Sequence, residues 1–289
     1  MYLLTVSLLA KGIPYEELSY FSKQQVNTGD LVEVTVRKRV CRALVLNVVR
    51  AAEEKQSLKQ ASFVAKKISK VITPSFLDES IWKSLAYMSS YMIRPVGEII
   101  HDLLSEKSFE QLSRLSVPEE KRGFEILLLE QDYSNRLSRY KSTIREMFSK
   151  KKSLVIFFPS VTDIDHAKEH LSKGIEDYVS VLHGSLTDKQ YTESLQLLLS
   201  REHPVLILTT PSLLPWSRKD LGLVIIEREH SHYYYTHGDT GYDMRLLLES
   251  LARHSEVPCL LGSHMLSLRA QKMLLTKDAS EIMPLLFRN

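Results

Sequence analysis

Cysteine is nearly absent from this chain. Its 289 residues hold only Cys41 and Cys259, with no CxxC spacing, which excludes a disulfide framework and every cysteine-rich zinc module. A reducing, cytoplasmic compartment is expected. Long apolar runs are missing too. The longest, such as Leu154 to Phe158 and Leu221 to Ile226, fall far short of the ~18 residues that span a bilayer, so no membrane partner is expected. The opening MYLLTVSLLA lacks the basic flank of a signal peptide, and Thr5 and Ser7 alternate with Leu4, Val6 and Leu8, which predicts a first β-strand. Internal repeats and low-complexity tracts are also lacking.

What is present is ordinary globular composition, 44% apolar and 25% charged, over a length that suits about two domains. Net charge is only +3, but residues 1 to 72 hold 12 Lys/Arg against 6 Asp/Glu. A basic module beside a neutral one suits a polyanion, as it also suits a merely solvated basic face.

Short alternating runs mark the first module. Leu3 to Leu9, Leu31 to Val36 after the turn Asn27-Thr28-Gly29-Asp30, and Ala43 to Val49 read as strands of a small antiparallel sheet or barrel. Between the last two, Arg37-Lys38-Arg39-Val40-Cys41-Arg42 puts cations at a hairpin tip or strand edge. Residues 50–66 read as a polar loop, and Lys67 to Ile72 as a strand ended by Pro74. The period then becomes helical, with Leu77, Ile81, Leu85 and Met88 on one stripe and Ser75 as the expected N-cap. A shorter helix follows Arg94-Pro95-Val96-Gly97 as far as Leu104, and residues 105–122 have the composition of a linker. The expected division is 1–104, 105–122 and 123–289.

Beyond Phe124 the runs Ile126 to Leu129, Leu154 to Phe158, Tyr178 to Leu182, Val205 to Leu208, Leu221 to Ile226 and Val257 to Leu261 alternate with crossover-length segments such as Arg136 to Ser149. This predicts an α/β domain with a parallel sheet covered by helices, whose ligands bind beyond the strands' carboxyl ends. Ala279 to Asn289 reads as an extra strand or a tail.

The run Leu221 to Ile226 leads into Glu227-Arg228-Glu229-His230. At this point the chain resembles the primosomal protein N′ family, the PriA replication-restart helicases, whose Walker B segment reads (V/I)(I/V)DEEH. Leu182-His183-Gly184-Ser185-Leu186 is similar to that family's LHSGL segment, and Leu208 to Leu214 to its IGTRSALF segment. Ser231 to Arg245 resembles its aromatic-rich loop, with Tyr234, Tyr242 and Arg245 in matching places and Tyr233 and Tyr235 as additions. Pro258 to Ser267 is similar to its GSATPS motif. In the first module Leu18-Ser19-Tyr20, Gly29 to Val34 with Arg37-Lys38-Arg39, and Tyr91 to Ile99 resemble FDY, PGxRVxVPFG and YYxxPxGEVL.

The resemblance implies an OB-like 3′ DNA-binding domain followed by one RecA-like lobe. The chain is thereby identified as a truncated and degenerate member, without a second lobe or zinc insert. The DNA contacts it implies are Tyr20, Arg37, Lys38, Arg39, Arg42 and Arg94, then Tyr234, Tyr242 and Arg245, with Tyr15 as another stacking surface. Ser19 stands where the family has the aspartate assigned to the 3′-terminal pocket. Implied partners are forked or 3′-ended DNA and other replication-restart proteins.

The departures concern the nucleotide. The family's GVTGSGKTE loop falls on Glu130 to Ser138, where no glycine remains. Arg136 replaces the lysine, Leu137 replaces the hydroxyl, and Glu130 and Asp132 add negative charge beside Ser134. Glu227 stands at the magnesium-binding aspartate and Arg228 at the water-activating glutamate, while Glu229 and His230 are kept. A guanidinium cannot act as a general base. The expectation is therefore DNA binding without ATPase or unwinding, and no cofactor. The alternative is a nucleotide-binding helicase subunit, completed by a separate lobe, in which Arg136 holds the phosphates of Mg-ATP. A metal site from His230, His232, His237 and Asp239 matches no zinc spacing, and a triad of Ser263, His264 and Glu229 lacks a nucleophile elbow.

Overall fold

The computed structural model describes residues 1–10, 17–50, 66–120, 123–235 and 241–282, which divide into two compact units, Met1–Ser116 and Val117–Asn289. Among them no helix is long and apolar enough to cross a membrane.

The first unit is built on a six-stranded sheet of β1 (Tyr2–Leu8), β2 (Leu18–Ser22), β3 (Leu31–Val36), β4 (Arg39–Arg50), β5 (Lys66–Lys67) and β6 (Lys70–Thr73), in the order β5-β2-β1-β4-β3-β6. Its outermost members, β5 and β6, are separated by two residues only. The amide of Ile68 donates to Phe21 on β2 and the next amide, Ser69, to Glu33 on β3. One segment thus stitches both edges together, and the sheet curls into a barrel. Alternate residues Leu4, Val6, Leu8, Tyr20, Val32, Val34, Ala43, Val45 and Ile68 fill it. β4 is long because its first half pairs with β3 and its second half with β1.

The expected N-cap is displaced. Ser75 lies at φ +50° and its amide donates to the buried Asp30 carboxylate at 2.7 Å, while Phe76 and Leu77 enter the core. The helix α1 (Glu79–Met92) starts four residues later, where the Asp78 carboxylate accepts from the Ser80 amide. Next comes α2 (Val96–Leu103), whose Gly97 amide donates to Ser7 Oγ on β1 at 3.0 Å. Residues 105–116 are no solvated linker. Around α3 (Ser108–Gln111), Phe109, Leu112 and Leu115 are buried, and Leu115 exchanges backbone hydrogen bonds with Phe76 and Asp78. Three apolar residues in a polar stretch suffice for packing but not for a periodic signal.

The second unit holds seven parallel strands. They are β7 (Ile126–Glu130), β8 (Ser153–Phe157), β9 (Val179–Leu182), β10 (Leu206–Thr209), β11 (Leu221–Glu227), β12 (Cys259–Ser263) and β13 (Ser280–Glu281), ordered β13-β7-β12-β11-β8-β10-β9. The main connecting helices are α4 (Tyr133–Ser149), α5 (Val161–Ser172), α6 (Asp188–Ser200), α7 (Met244–His254) and α8 (Leu268–Leu275). Connections run one way along the sheet from β7 to β9 and the other way afterwards. Right-handed crossovers therefore put α4 and α5 on one face and α6, α7 and α8 on the other, the layering of a RecA-like lobe. Tyr140, Ile144 and Met147 of α4 with Ile164, Ala167 and Leu171 of α5 pack on Leu154, Ile156, Leu208, Leu223 and Ile225. Every residue of β11 is buried, as a central parallel strand requires. The strand expected near the C-terminal end is the short β13; residues 283–289 lie outside the described residues, as does the 51–65 part of the expected polar loop.

A Cβ on Gly97 would stand 2.0 Å from the Leu8 carbonyl oxygen, so α2 can lie on β1 only with glycine there. Gly97→Ala is expected to destabilise the first unit by about 1–3 kcal/mol in urea melts, and an unchanged midpoint would contradict this packing.

Candidate functional site

The carboxyl ends of β7, β12 and β11 form the place where a nucleotide would be sought. After Glu130, only Gln131 and Asp132 precede the first turn of α4. Asp132 is an extended N-cap whose carboxylate makes no capping bond, and the Gln131 amide is spent on the Ser263 carbonyl at 3.0 Å. A phosphate loop needs several glycine-rich residues whose amides converge on one anion; a two-residue turn cannot supply them.

Behind the turn lies a closed ionic contact. Arg136, in the first turn of α4, is 2% exposed and points inward to Glu227, the fully buried last residue of β11. Arg136 Nη2 donates to Glu227 Oε1 at 2.5 Å, Nε lies 3.1 Å from Oε2, and Nη1 donates to the Gln131 carbonyl at 2.5 Å. One helical turn on, Tyr140 donates its hydroxyl to Glu227 Oε2 at 2.6 Å. Burial alone would lower the Arg136 pKa, but the hydrogen bond and charge of Glu227 outweigh it and raise it. Burial first, and then the Glu227 charge, push the Tyr140 phenol well above its usual value, so it stays a donor. Between these groups runs Gly262 of β12, where a Cβ would fall 1.8 Å from the Tyr140 hydroxyl. The outer side is half covered by Tyr133, its ring 5.6 Å from the Arg136 guanidinium. Sequence reasoning passed over Tyr133, although an aromatic stands there in place of a glycine of the family's loop.

The remaining residues of this motif contact neighbouring elements of the second unit. Arg228 leaves the strand at φ +52° and pairs with Asp163 of α5 at 2.5 Å. The Glu229 carboxylate accepts from the Ser267 amide and hydroxyl at 2.5 and 2.9 Å, bracing the start of α8. His230 Nδ1 lies 2.5 Å from Ser263 Oγ, whose own proton goes to the Met265 carbonyl, so the ring nitrogen is the donor. Asp132 and Ser134 are exposed, Asp132 lying 3.4 Å from His264. No group of metal-ligating side chains occurs among the described residues, and His237 and Asp239 lie outside them.

The residues expected to meet DNA separate into two sets. Arg37, Lys38 and Arg39 are exposed on the β3–β4 hairpin and form no ion pair among the described residues. Arg42 instead pairs with Glu106 over the Phe109 ring, and Arg94 is held by Glu98 at 2.9 Å and Asp102 at 3.1 Å. Tyr20 offers no stacking face: it is 4% exposed, and its hydroxyl donates to the Thr35 carbonyl. In the aromatic-rich loop Tyr234 and Tyr242 are buried, the Tyr234 hydroxyl lying between the carbonyls of Phe157 and Glu227. Arg245 is also buried, bidentate on Asp243 and bonded to the Glu229 carbonyl. Among the described residues of this loop the exposed tyrosines are Tyr233 and Tyr235, which the family pattern lacks. Tyr20 and Tyr234 turn inward where backbone carbonyls accept their hydroxyls. Tyr15 lies outside the described residues.

Residues 13–105 match the family model described as the 3′DNA-binding domain of PriA. Along most of its length the chain is similar to the replication restart protein PriA of Helicobacter pylori, 24% identical over 270 residues, covering 88% of this chain and 42% of that protein. The chain is PriA-like. PriA of Buchnera aphidicola is 26% identical over 152 residues, covering 52% of this chain and 21% of that protein. The PriA-like chain thus spans about two-fifths of the length of the first of these relatives. Among solved structures, the C-terminal domain of Saccharomyces cerevisiae Dbp5 bound to Gle1 and IP6 aligns with a TM-score of 0.42 at 12% identity, over 55% of this chain and 89% of that one.

Glu227→Gln leaves the buried Arg136 guanidinium without its counter-charge and is expected to cost about 3–5 kcal/mol. The paired change Arg136→Met with Glu227→Leu is expected to recover most of that loss. Urea melts of the single and paired variants check both; equal losses would show that the charges do not depend on each other.

Proposed function

We propose that this PriA-like chain is a DNA-binding protein of replication restart in the cytoplasm, which holds forked or 3′-ended DNA through its first unit and neither hydrolyses ATP nor unwinds. The observation that carries the DNA reading is the match of residues 13–105 to a 3′DNA-binding domain, in a unit whose Arg37-Lys38-Arg39 hairpin stands exposed. Such cations neutralise backbone phosphates without reading bases. Against nucleotide use stands the Arg136–Glu227 contact. The alternative in which Arg136 grips phosphates requires that contact to break first, and the turn before α4 has no amide cradle to add.

In this reading the second unit is a platform for DNA or for other replication-restart proteins. Strict selection of a 3′-hydroxyl is not expected, because Ser19 cannot supply the charge of the family's aspartate. Fluorescence anisotropy on a fork with a free or phosphate-blocked 3′ end tests both statements. Binding that weakens steeply with salt, falls on Arg37→Gln/Lys38→Gln/Arg39→Gln substitution and ignores the block is the expected outcome. Failure to prefer the fork over a neutral polymer would reject the DNA reading.

A further inference from the structure

Closure of the barrel lays three lysines beside strands that are distant from them in sequence. Lys66 lies beside Tyr20 and Lys67 beside Phe21 on β2, while Lys70 lies beside Glu33 on β3. The Tyr20 hydroxyl in turn reaches the Thr35 carbonyl, two positions before the hairpin tip at Arg37. The closing segment is therefore laid between β2 and the strand that carries the tip. All three lysines are exposed. Lys66 and Lys67 form no ion pair among the described residues, and Lys70 is 3.4 Å from Glu33.

We infer that Lys66, Lys67 and Lys70 continue the Arg37-Lys38-Arg39 hairpin into one phosphate-binding surface across the closing strands, which takes the backbone of the DNA held by the first unit. The inference rests on the DNA-binding reading above. Lysine suits this use: a point charge on a flexible stem follows phosphates regardless of sequence. Placing the charges on paired strands fixes their spacing, which a mobile basic tail would not. Charged residues also guard open sheet edges against pairing with other chains. Here that need is small, because the amides of Ile68 and Ser69 between the lysines are already bonded to Phe21 and Glu33.

The test is the salt dependence of binding by the full chain to 3′-tailed single-stranded DNA. Lys66→Gln/Lys67→Gln/Lys70→Gln is expected to lower the slope of log K against log salt by about 2, since each phosphate contact on a single strand contributes roughly 0.7. The charge-matched variant Lys83→Gln/Lys107→Gln/Lys189→Gln should leave the slope unchanged, and Lys66→Arg/Lys67→Arg/Lys70→Arg should keep it. Circular dichroism melts verify folding; if the glutamine triple is unfolded, the three single substitutions should each lower the slope by about 0.7. A wild-type slope of zero would overturn the DNA-binding reading itself. A steep wild-type slope that the glutamine variants leave intact would overturn this inference alone. So would competition by polyglutamate as strong as that of DNA at equal charge, which would make the surface one for acidic protein.

Discussion

The contact of Arg136 with Glu227 is what the second unit depends on. By resemblance these residues stand where a nucleotide-binding lobe keeps a lysine for phosphate and a carboxylate for magnesium. Such groups are useful only while a ligand separates them. Here the longer guanidinium and the longer carboxylate meet directly, the Tyr140 hydroxyl takes a further lone pair, and Gly262 leaves the room they need. Both charges are then satisfied without a ligand. A triphosphate could reach Arg136 only by first separating two buried charges that already satisfy each other.

The rest of the motif has been turned to the same end. Arg228 ties the end of β11 to α5, Glu229 braces the start of α8, and His230 engages the end of β12. Tyr234, from the loop that follows, and Arg245, in the first turn of α7, close on the backbone of Glu227 and Glu229. All of these contacts hold the ends of strands to neighbouring elements. Tyr233 and Tyr235 remain exposed in that loop, as does the basic hairpin of the first unit.

Much of this was legible in the sequence. The parallel strands of the second unit read correctly because fully buried strands are continuous apolar runs between helical spacings, and the loss of the glycine loop was visible residue by residue. β2 was not legible from its pattern, since five residues with one buried aromatic carry too little periodicity. Ser75 looked like a cap because its competitor, the Asp30 carboxylate, is 45 residues away in sequence. The burial of the aromatic candidates was hidden for a similar reason. Whether Tyr20 or Tyr234 turns outward is decided by a carbonyl that only the folded chain brings near, namely Thr35 or Phe157. Lys66, Lys67 and Lys70 were passed over because their places beside β2 and β3 exist only once the barrel is closed.

Isothermal titration of the full chain with Mg-ATP tests the central claim most directly. The account predicts no heat of binding at micromolar to high-micromolar nucleotide, and no gain when the magnesium is raised. Saturable micromolar binding with one nucleotide per chain would contradict it, for it would mean that Arg136 and Glu227 part readily to admit a ligand.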